Sequence, residues 1–590
     1  MGRALTTAGR RSAVALLAVA LAGAAPAPPP IRFEEIGEAA GARLPHHLRQ
    51  FAGPHADVLE IFTAGGSAVA VADYDGDGDE DLFVTDSDAG RPNRLLRNEW
   101  VPSGALRFTE VAAAGGVAGG NDRLSIVADA LWFEADGDGR PDLLVARFGT
   151  PLLYRNLGGG RFADVTAGSG LETEFGNTIA AIAFDADGDG RLDVLFGHYF
   201  KPVNLIELPT PQVLPNNLDE AVNGGGVSLW RNSTEPGTGR PRFVEVSEKA
   251  GLAAHTGWTL DVGHADLDDD GDQDLYLAGD YGTDRLYWNR GDGTFEDATK
   301  EAIGFDTKKG MNVDVGDYDR DGRLDIYVTN ITDDYMRECN MLWHNEGRGS
   351  DGRVRFTDVA KETGTCNSLW GWAAKFADFD NDGWEDLFAT DGLRSAGPEE
   401  YIPLVLELIL RPNVDFTDVR LWPAIGDRSW SGFQKKKLFR NLGGGTFKEV
   451  AAEAGVDNDR DGRGLGVTDL DDDGLLDFYQ TNAGQPALLY RNTSTSPGRW
   501  LGLKLAGTGP NPDAIGARVT VRAGSTIWVR EVNGGNGYAG QSTTRVHVGL
   551  GAVEKVDSVE VRWPGGRVER FAAPLGRYTT VREGEGSAPR

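Results

Sequence analysis

Seven nine-residue stretches of this sequence carry carboxylates at places one, three, five and nine and glycine at place six. The first four hold Asp73, Asp75, Asp77 and Asp81; Glu134, Asp136, Asp138 and Asp142; Asp185, Asp187, Asp189 and Asp193; and Asp266, Asp268, Asp270 and Asp274. The last three hold Asp317, Asp319, Asp321 and Asp325; Asp378, Asp380, Asp382 and Asp386; and Asp469, Asp471, Asp473 and Asp477. Four like charges in so short a stretch repel unless a cation sits among them. Hard oxygen donors on a flexible loop suit Ca2+, which accepts about six to eight oxygens, better than Mg2+, which requires stricter octahedral geometry. About seven structural calcium sites are expected, with no catalytic residue among the ligands.

The places between the carboxylates refine this reading. Glycine at place six marks a sharp turn with positive φ. Place seven runs through Asp79, Arg140, Arg191, Asp272, Arg323, Trp384 and Leu475, so a ligand from that place is a backbone carbonyl. An EF-hand shares the early spacing but needs an acid at place twelve, where this chain has Val84, Val145, Phe196, Leu277, Val328, Ala389 and Gln480. A single such loop has the plain alternative of a solvated acidic turn, and seven copies in register argue against it. Asp457 to Gly462 begins in the same way but carries Leu465 at place nine, and no strong site is expected there. Seven Ca2+ would add +14 to the formal charge of −31 and leave about −17.

The loops must be held by strands. Ahead of each lies a run of small or β-branched residues, such as Ala68 to Ala72 or Gly464 to Val467, and behind it an apolar run such as Leu82 to Val84. Each is followed by Leu-x-x-Asn, ending at Asn98, Asn156, Asn232, Asn289, Asn345, Asn441 and Asn492. A third signature, Phe-x-(Asp/Glu), begins at Phe33, Phe108, Phe162, Phe243, Phe295, Phe356 and Phe447 and reads as a short outer strand ending in a turn. Four strands per unit and seven units predict an all-β fold, a seven-bladed β-propeller over residues 31–497. The Phe33 strand precedes any acidic loop and the last Asn492 has no such strand after it, so the N-terminal strand is expected to complete the last unit. Insertions near 201–226 and 393–437 exceed simple turns, and Glu400 to Leu410 reads as a short helix with Pro403 in its first turn.

Composition is globular, with 40% hydrophobic residues, but 90 acidic against 59 basic residues disfavour nucleic acid and anionic lipid as partners. Arg3, Arg10 and Arg11 precede an apolar run from Ala13 to Ala22 and small residues at Ala24, Ala25 and Ala27, which reads as a signal peptide over 1–28. The expected location is secreted or periplasmic, with no membrane span. Cys339 and Cys366 are the only cysteines; export permits their pairing, which the sequence leaves open.

These loops and strands resemble the FG-GAP or VCBS repeats of integrin α-subunit propellers over about Phe33 to Asn492, and the resemblance implies calcium at the loop carboxylates. Beyond Trp500 the segments Asn511 to Val519, Glu531 to Tyr538, His547 to Gly551 and Val561 to Gly566 resemble the ASPIC/UnbV domain of cartilage acidic protein-like and exported bacterial chains. That domain is placed at 499–583. Alternation in Arg518 to Val521, Thr526 to Val529 and Val556 to Trp563 predicts a small unit of antiparallel strands.

The function expected first is a calcium-binding scaffold for an extracellular protein or glycan ligand, not an enzyme. The alternative is a polysaccharide lyase or hydrolase using polar residues of the central channel. Its candidates are Asp129, Asp261, Asn312, Asp314 and Lys375, against the plainer reading of a water-filled channel lined by solvated side chains. His264 is read as packed between units. His46, His47 and His55 could bind a transition metal, although a chance cluster is the plainer reading, and Trp370, Trp372, Trp422 and Trp430 could stack on sugars or fill cores.

Overall fold

Small and β-branched residues converge where strands crowd together, and the first strand of each unit is rich in them: Val69–Ala72, Ile126–Phe133, Gly176–Phe184, Thr259–Ala265, Asp314–Gly316, Gly371–Ala377 and Gly462–Thr468. The computed structural model describes residues 31–51, 56–204, 214–235, 237–415, 418–495 and 497–589. The segment read as a signal peptide, His55 and part of the first insertion lie outside the described residues. No helix among the described residues is long and apolar enough to cross a membrane.

Each first strand pairs antiparallel with the strand that leaves its acidic loop, which pairs with the Leu-x-x-Asn strand, which pairs with the Phe-x-acid strand. Seven such four-stranded units result. In the seventh the outermost strand is Phe33–Glu35, paired antiparallel with Leu488–Asn492 so that Phe33 faces Asn492, as the phase of the repeat predicted. The first strands touch in cyclic order, and Gly462–Thr468 of the last unit touches Val69–Ala72 of the first. Aromatic residues fill the seams: the Phe33 ring lies edge-on to Phe379 and Phe478, with centroids 5.3 and 5.0 Å away.

The turn after each outer strand also has a local cause. Glu110 accepts the Ala112 N–H at 2.8 Å, opening the four-residue helix Ala112–Gly115, and Gly116 at φ 89° ends it. The second insertion contains the helix Ile402–Ile409 with Pro403 in its first turn. A disulfide joins Cys339 to Cys366, 27 residues apart.

The C-terminal region forms two further sheets. One pairs Arg518–Ala523 with Thr526–Glu531 and Ser558–Arg562, all antiparallel, as the alternation predicted. The other pairs Arg499–Ala506 antiparallel with Val546–Gly551 but parallel with Tyr578–Arg582. A two-residue strand, Gly540–Gln541, leaves this region and pairs parallel with Val69–Ala70 of unit one.

Candidate metal centres

The acidic loops share one geometry. Place six has positive φ in all seven, from 84° at Gly139 and Gly190 to 108° at Gly78. In five loops its N–H donates to the place-one carboxylate, as Gly190 does to Asp185, Gly383 to Asp378 and Gly474 to Asp469, each at 2.8 Å. Place four also has positive φ in all seven, which the sequence reading missed: Gly76, Gly137 and Gly188 in the first three loops, then Asp269, Arg320, Asn381 and Asp472. Asp and Asn tolerate this backbone. Arg320 does not by itself, and its guanidinium lies 3.2 Å from the Trp384 ring centroid.

The place-nine carboxylate is the pivot. One oxygen accepts the place-two N–H in six units, as Asp274 does from Leu267 at 3.0 Å. The other accepts the backbone N–H of the Leu-x-x-Asn asparagine in all seven, between 2.6 and 2.9 Å. The asparagine amide then donates to the place-two carbonyl of the preceding unit: Asn156 to Tyr74, Asn232 to Ala135, Asn289 to Ala186, Asn345 to Leu267, Asn441 to Tyr318 and Asn492 to Phe379. Asn98 of unit one donates to Leu470 of unit seven at 2.9 Å and closes the series. The asparagine therefore ties each loop to its neighbour's, a role the sequence reading did not assign. Asn441→Ala is expected to cost about 2–4 kcal/mol, because it strands the buried carbonyls of Tyr318 and Glu385. The denaturant midpoint in calcium measures it.

The side chains fit a hard cation. Buried oxygens without a hydrogen-bond partner include Asp75 Oδ1, Asp185 Oδ1, Asp187 Oδ1, Asp268 Oδ1, Asp378 Oδ1 and Asp471 Oδ1. These atoms belong to places one and three of their loops. In the first four loops the carboxylates of places one, three and nine bring ligand atoms within 4.8 Å of one another. Burial, reinforced by neighbouring carboxylates, pushes Asp469 up to about 8 and Asp268 up to about 6. In the seventh loop, Arg491 bridges Asp471 and Asp473 at 2.5 and 3.6 Å, offsetting part of this charge. The decoy stretch is spent on structure: Asp461 accepts the Ser395 N–H and hydroxyl, both at 2.6 Å, and the Gln485 amide at 3.0 Å.

The centre of the ring is filled by the chain itself. Residues 533–541 run among the first strands: Gly534 N–H donates to His264 at 2.8 Å, and Gly534 O accepts from Ala183 at 2.8 Å. Tyr538 N–H donates to Asn312 at 3.0 Å and its hydroxyl to Gly65 O at 2.8 Å, while Lys375 donates to Asn536 O. Gln541 exchanges hydrogen bonds with the Trp132 backbone at 2.7 and 2.8 Å, and a Cβ on Gly540 would meet Leu465 O at 2.5 Å. The close packing of Gly534 and Gly540 explains why this segment is rich in glycine.

Residues 507–588 match the family described as ASPIC and UnbV, and residues 135–196 and 266–328 match that of the FG-GAP-like repeat. The chain carries FG-GAP-like repeats and an ASPIC and UnbV domain. It is 25% identical over 543 residues to cartilage acidic protein 1 of Homo sapiens, covering 87% of this chain and 71% of that protein. Against cartilage acidic protein 1 of Xenopus tropicalis the identity is again 25%, covering 87% and 72%. Among solved structures, an N-acetylglucosamine-recognising lectin of Agrocybe aegerita aligns with a TM-score of 0.36 at 18% identity, covering 65% of this chain and 80% of the lectin. A Bacillus licheniformis rhamnogalacturonan lyase aligns with a TM-score of 0.36 at 11% identity, covering 79% and 76%. Likenesses this distant do not bear on function.

The ASPIC and UnbV domain thus supplies the segment that fills the ring, and this corrects the reading of a water-filled channel. The five polar candidates are buried and stitch FG-GAP-like units together. Asp129 accepts the Ala181 N–H at 3.0 Å, Asp261 that of Val313 at 2.7 Å, Asn312 that of Ala374 at 2.9 Å and Asp314 that of Phe376 at 2.7 Å. Burial pushes Asp314 up to about 6, opposed by the Lys375 amine 3.7 Å away. Trp372 and Trp430 are buried, and Trp370 and Trp422 pack beside Trp430 with centroids 5.9 and 6.3 Å away, so the four form core rather than a sugar platform. His46 accepts the Gly484 N–H at 3.0 Å while His47 pairs with Asp86 at 2.8 Å, so the two engage separate partners.

His264 is packed between units as predicted, stacked on Phe184. Its Nε2 accepts from Gly534, so Nδ1 carries the proton and donates to Gln273 Oε1 at 2.6 Å. Burial pushes it down to about 4. Stability from the neutral ring is fully present above its unfolded pKa of about 6.5 and is lost as pH falls toward 4, by about 2 kcal/mol at pH 5. Denaturant midpoints at pH 7 and pH 5 in saturating calcium measure the loss, and His264→Gln should remove that part of it.

Proposed function

We propose that this chain is an exported seven-bladed β-propeller, stapled by calcium at one loop per blade, that serves as a rigid scaffold for an extracellular protein or glycan ligand. The observation that carries the reading is the set of buried, unpartnered carboxylate oxygens repeated at the same loop places around the ring. The cyclic contact of the first strands supports seven blades, and the resemblance to cartilage acidic protein 1 over most of the chain supports an interaction protein. The filled centre argues against the channel enzyme, since its candidate acid and amine, Asp314 and Lys375, are buried and engaged. Catalysis by metal is not needed: the ions would neutralise charge and fix loops, as the carboxylates of places one, three and nine would hold them.

Elemental analysis of the signal-free protein after dialysis in calcium tests the metal reading. The expected result is about seven divalent ions per chain, given the hard oxygen ligands at each loop. A content below two, in protein that remains folded, would overturn it.

A further inference from the structure

Unit five departs from its sisters at the residue ahead of the Leu-x-x-Asn asparagine. That residue is Arg in five units, Trp288 in unit four and His344 in unit five. Four of the arginines lie on the carboxylates of places three and five of their own loops, as Arg155 does on Asp136 and Asp138. Those units carry a fixed cation on the loop; unit five carries a nitrogen donor in its stead.

The ring is aimed at the loop. His344 Nδ1 lies 3.6 Å from Asp319 Oδ2 and 3.4 Å from Asp325 Oδ1. Ligand atoms of His344, Asp319 and Asp321 lie within 4.8 Å of one another. A second observation comes from Asp325, whose side chain is fully buried. Its Oδ2 has no partner, although the corresponding oxygen accepts the place-two N–H in the other six units.

Imidazole nitrogen is a poor ligand for Ca2+, which takes oxygens, and a good one for first-row transition ions. A tetrahedral ion with bonds of about 2.0–2.1 Å sets its ligands about 3.4 Å apart, which is the spacing seen around Nδ1. We propose that unit five binds a borderline divalent transition cation, of which Zn2+ is the probe, through His344 Nδ1, Asp319 and Asp325, with Asp321 alongside. The ring thus carries one mixed nitrogen and oxygen site among all-oxygen loops. The proposal puts this cation in place of calcium in unit five alone, leaves six all-oxygen loops to calcium, and does not depend on the calcium reading.

The test holds the signal-free protein in millimolar Ca2+ and titrates it with Zn2+, then separately with Co2+. The expected result is about one equivalent of zinc retained through gel filtration, and a visible Co2+ band of the intensity that tetrahedral coordination gives. His344→Arg installs the cation the sister units carry. It should keep the calcium content and unfolding temperature, abolish the Co2+ band and weaken zinc binding by about 100-fold or more. His344→Gln should have the same effect on metal and covers the case in which the arginine variant does not fold. Wild-type protein that takes up no zinc, or folded variants that bind zinc and give the cobalt band as wild type does, would overturn the proposal. Calcium counted in the same samples reports separately on the other loops: zinc bound without calcium leaves this site standing and sinks the calcium reading.

Discussion

Chelation in EDTA is expected to unfold this protein, or to lower its unfolding temperature by tens of degrees, whereas Mg2+ in place of Ca2+ restores little. An ion that binds only the folded state stabilises it by about 2.7 kcal/mol at a hundredfold excess over its Kd. Seven such sites exceed the whole stability of an ordinary domain, about 5–15 kcal/mol. The charges point the same way: the buried place-nine carboxylates Asp81, Asp142, Asp193, Asp274, Asp386 and Asp477 are all pushed well above the ordinary aspartate range, by burial first. Thermal unfolding followed by circular dichroism in calcium, in magnesium and after chelation decides the matter. Unfolding curves that coincide in all three would mean that the loops stand without metal.

The second large effect is expected from Tyr538→Ala. Tyr538 is fully buried, its ring centroid lies 5.0 Å from that of Trp372, and its hydroxyl donates to Gly65 O. Removing a buried aromatic side chain costs about 3–5 kcal/mol, and the stranded carbonyl adds to this. Tyr538→Phe keeps the ring and separates the hydroxyl, at a cost of about 1 kcal/mol. Because the side chain belongs to the C-terminal domain while its surroundings belong to units one, five and six, the loss should appear as one cooperative transition at lower denaturant. A separate early transition of the C-terminal domain, with the ring unaffected, would show that the segment merely rests in the ring.

Much of the ring was legible because its signals are local. Carboxylates two residues apart, Gly78 and its six equivalents at place six, and the phase that left Phe33 to pair beside Asn492 all lie within a few residues or follow from counting repeats. What escaped depended on partners far away in sequence. Asn98 reads as a strand end until Leu470 O is beside it, 372 residues away. Positive φ at place four was concealed because Asp269, Arg320, Asn381 and Asp472 replace glycine there. His344 differs by one letter from its sister arginines, and only its position over Asp319 gives the difference a chemical meaning. The polar residues Asp129, Asp314 and Lys375 were open to being read as solvated because nothing near them in sequence announces that residues 533–541 will occupy the space before them.

Segments far apart in sequence complete the ring, and this sets an order of events during synthesis. The strand Phe33–Glu35 leaves the ribosome ahead of every acidic loop yet finds its partner, Leu488–Asn492, only after some 450 further residues have followed it. The glycine-rich segment at 533–541 emerges later still, so a nascent ring has neither its last seam nor its centre until these residues have been made. Such a chain waits in partly assembled form with strand edges and core exposed, the interval in which holding chaperones matter most.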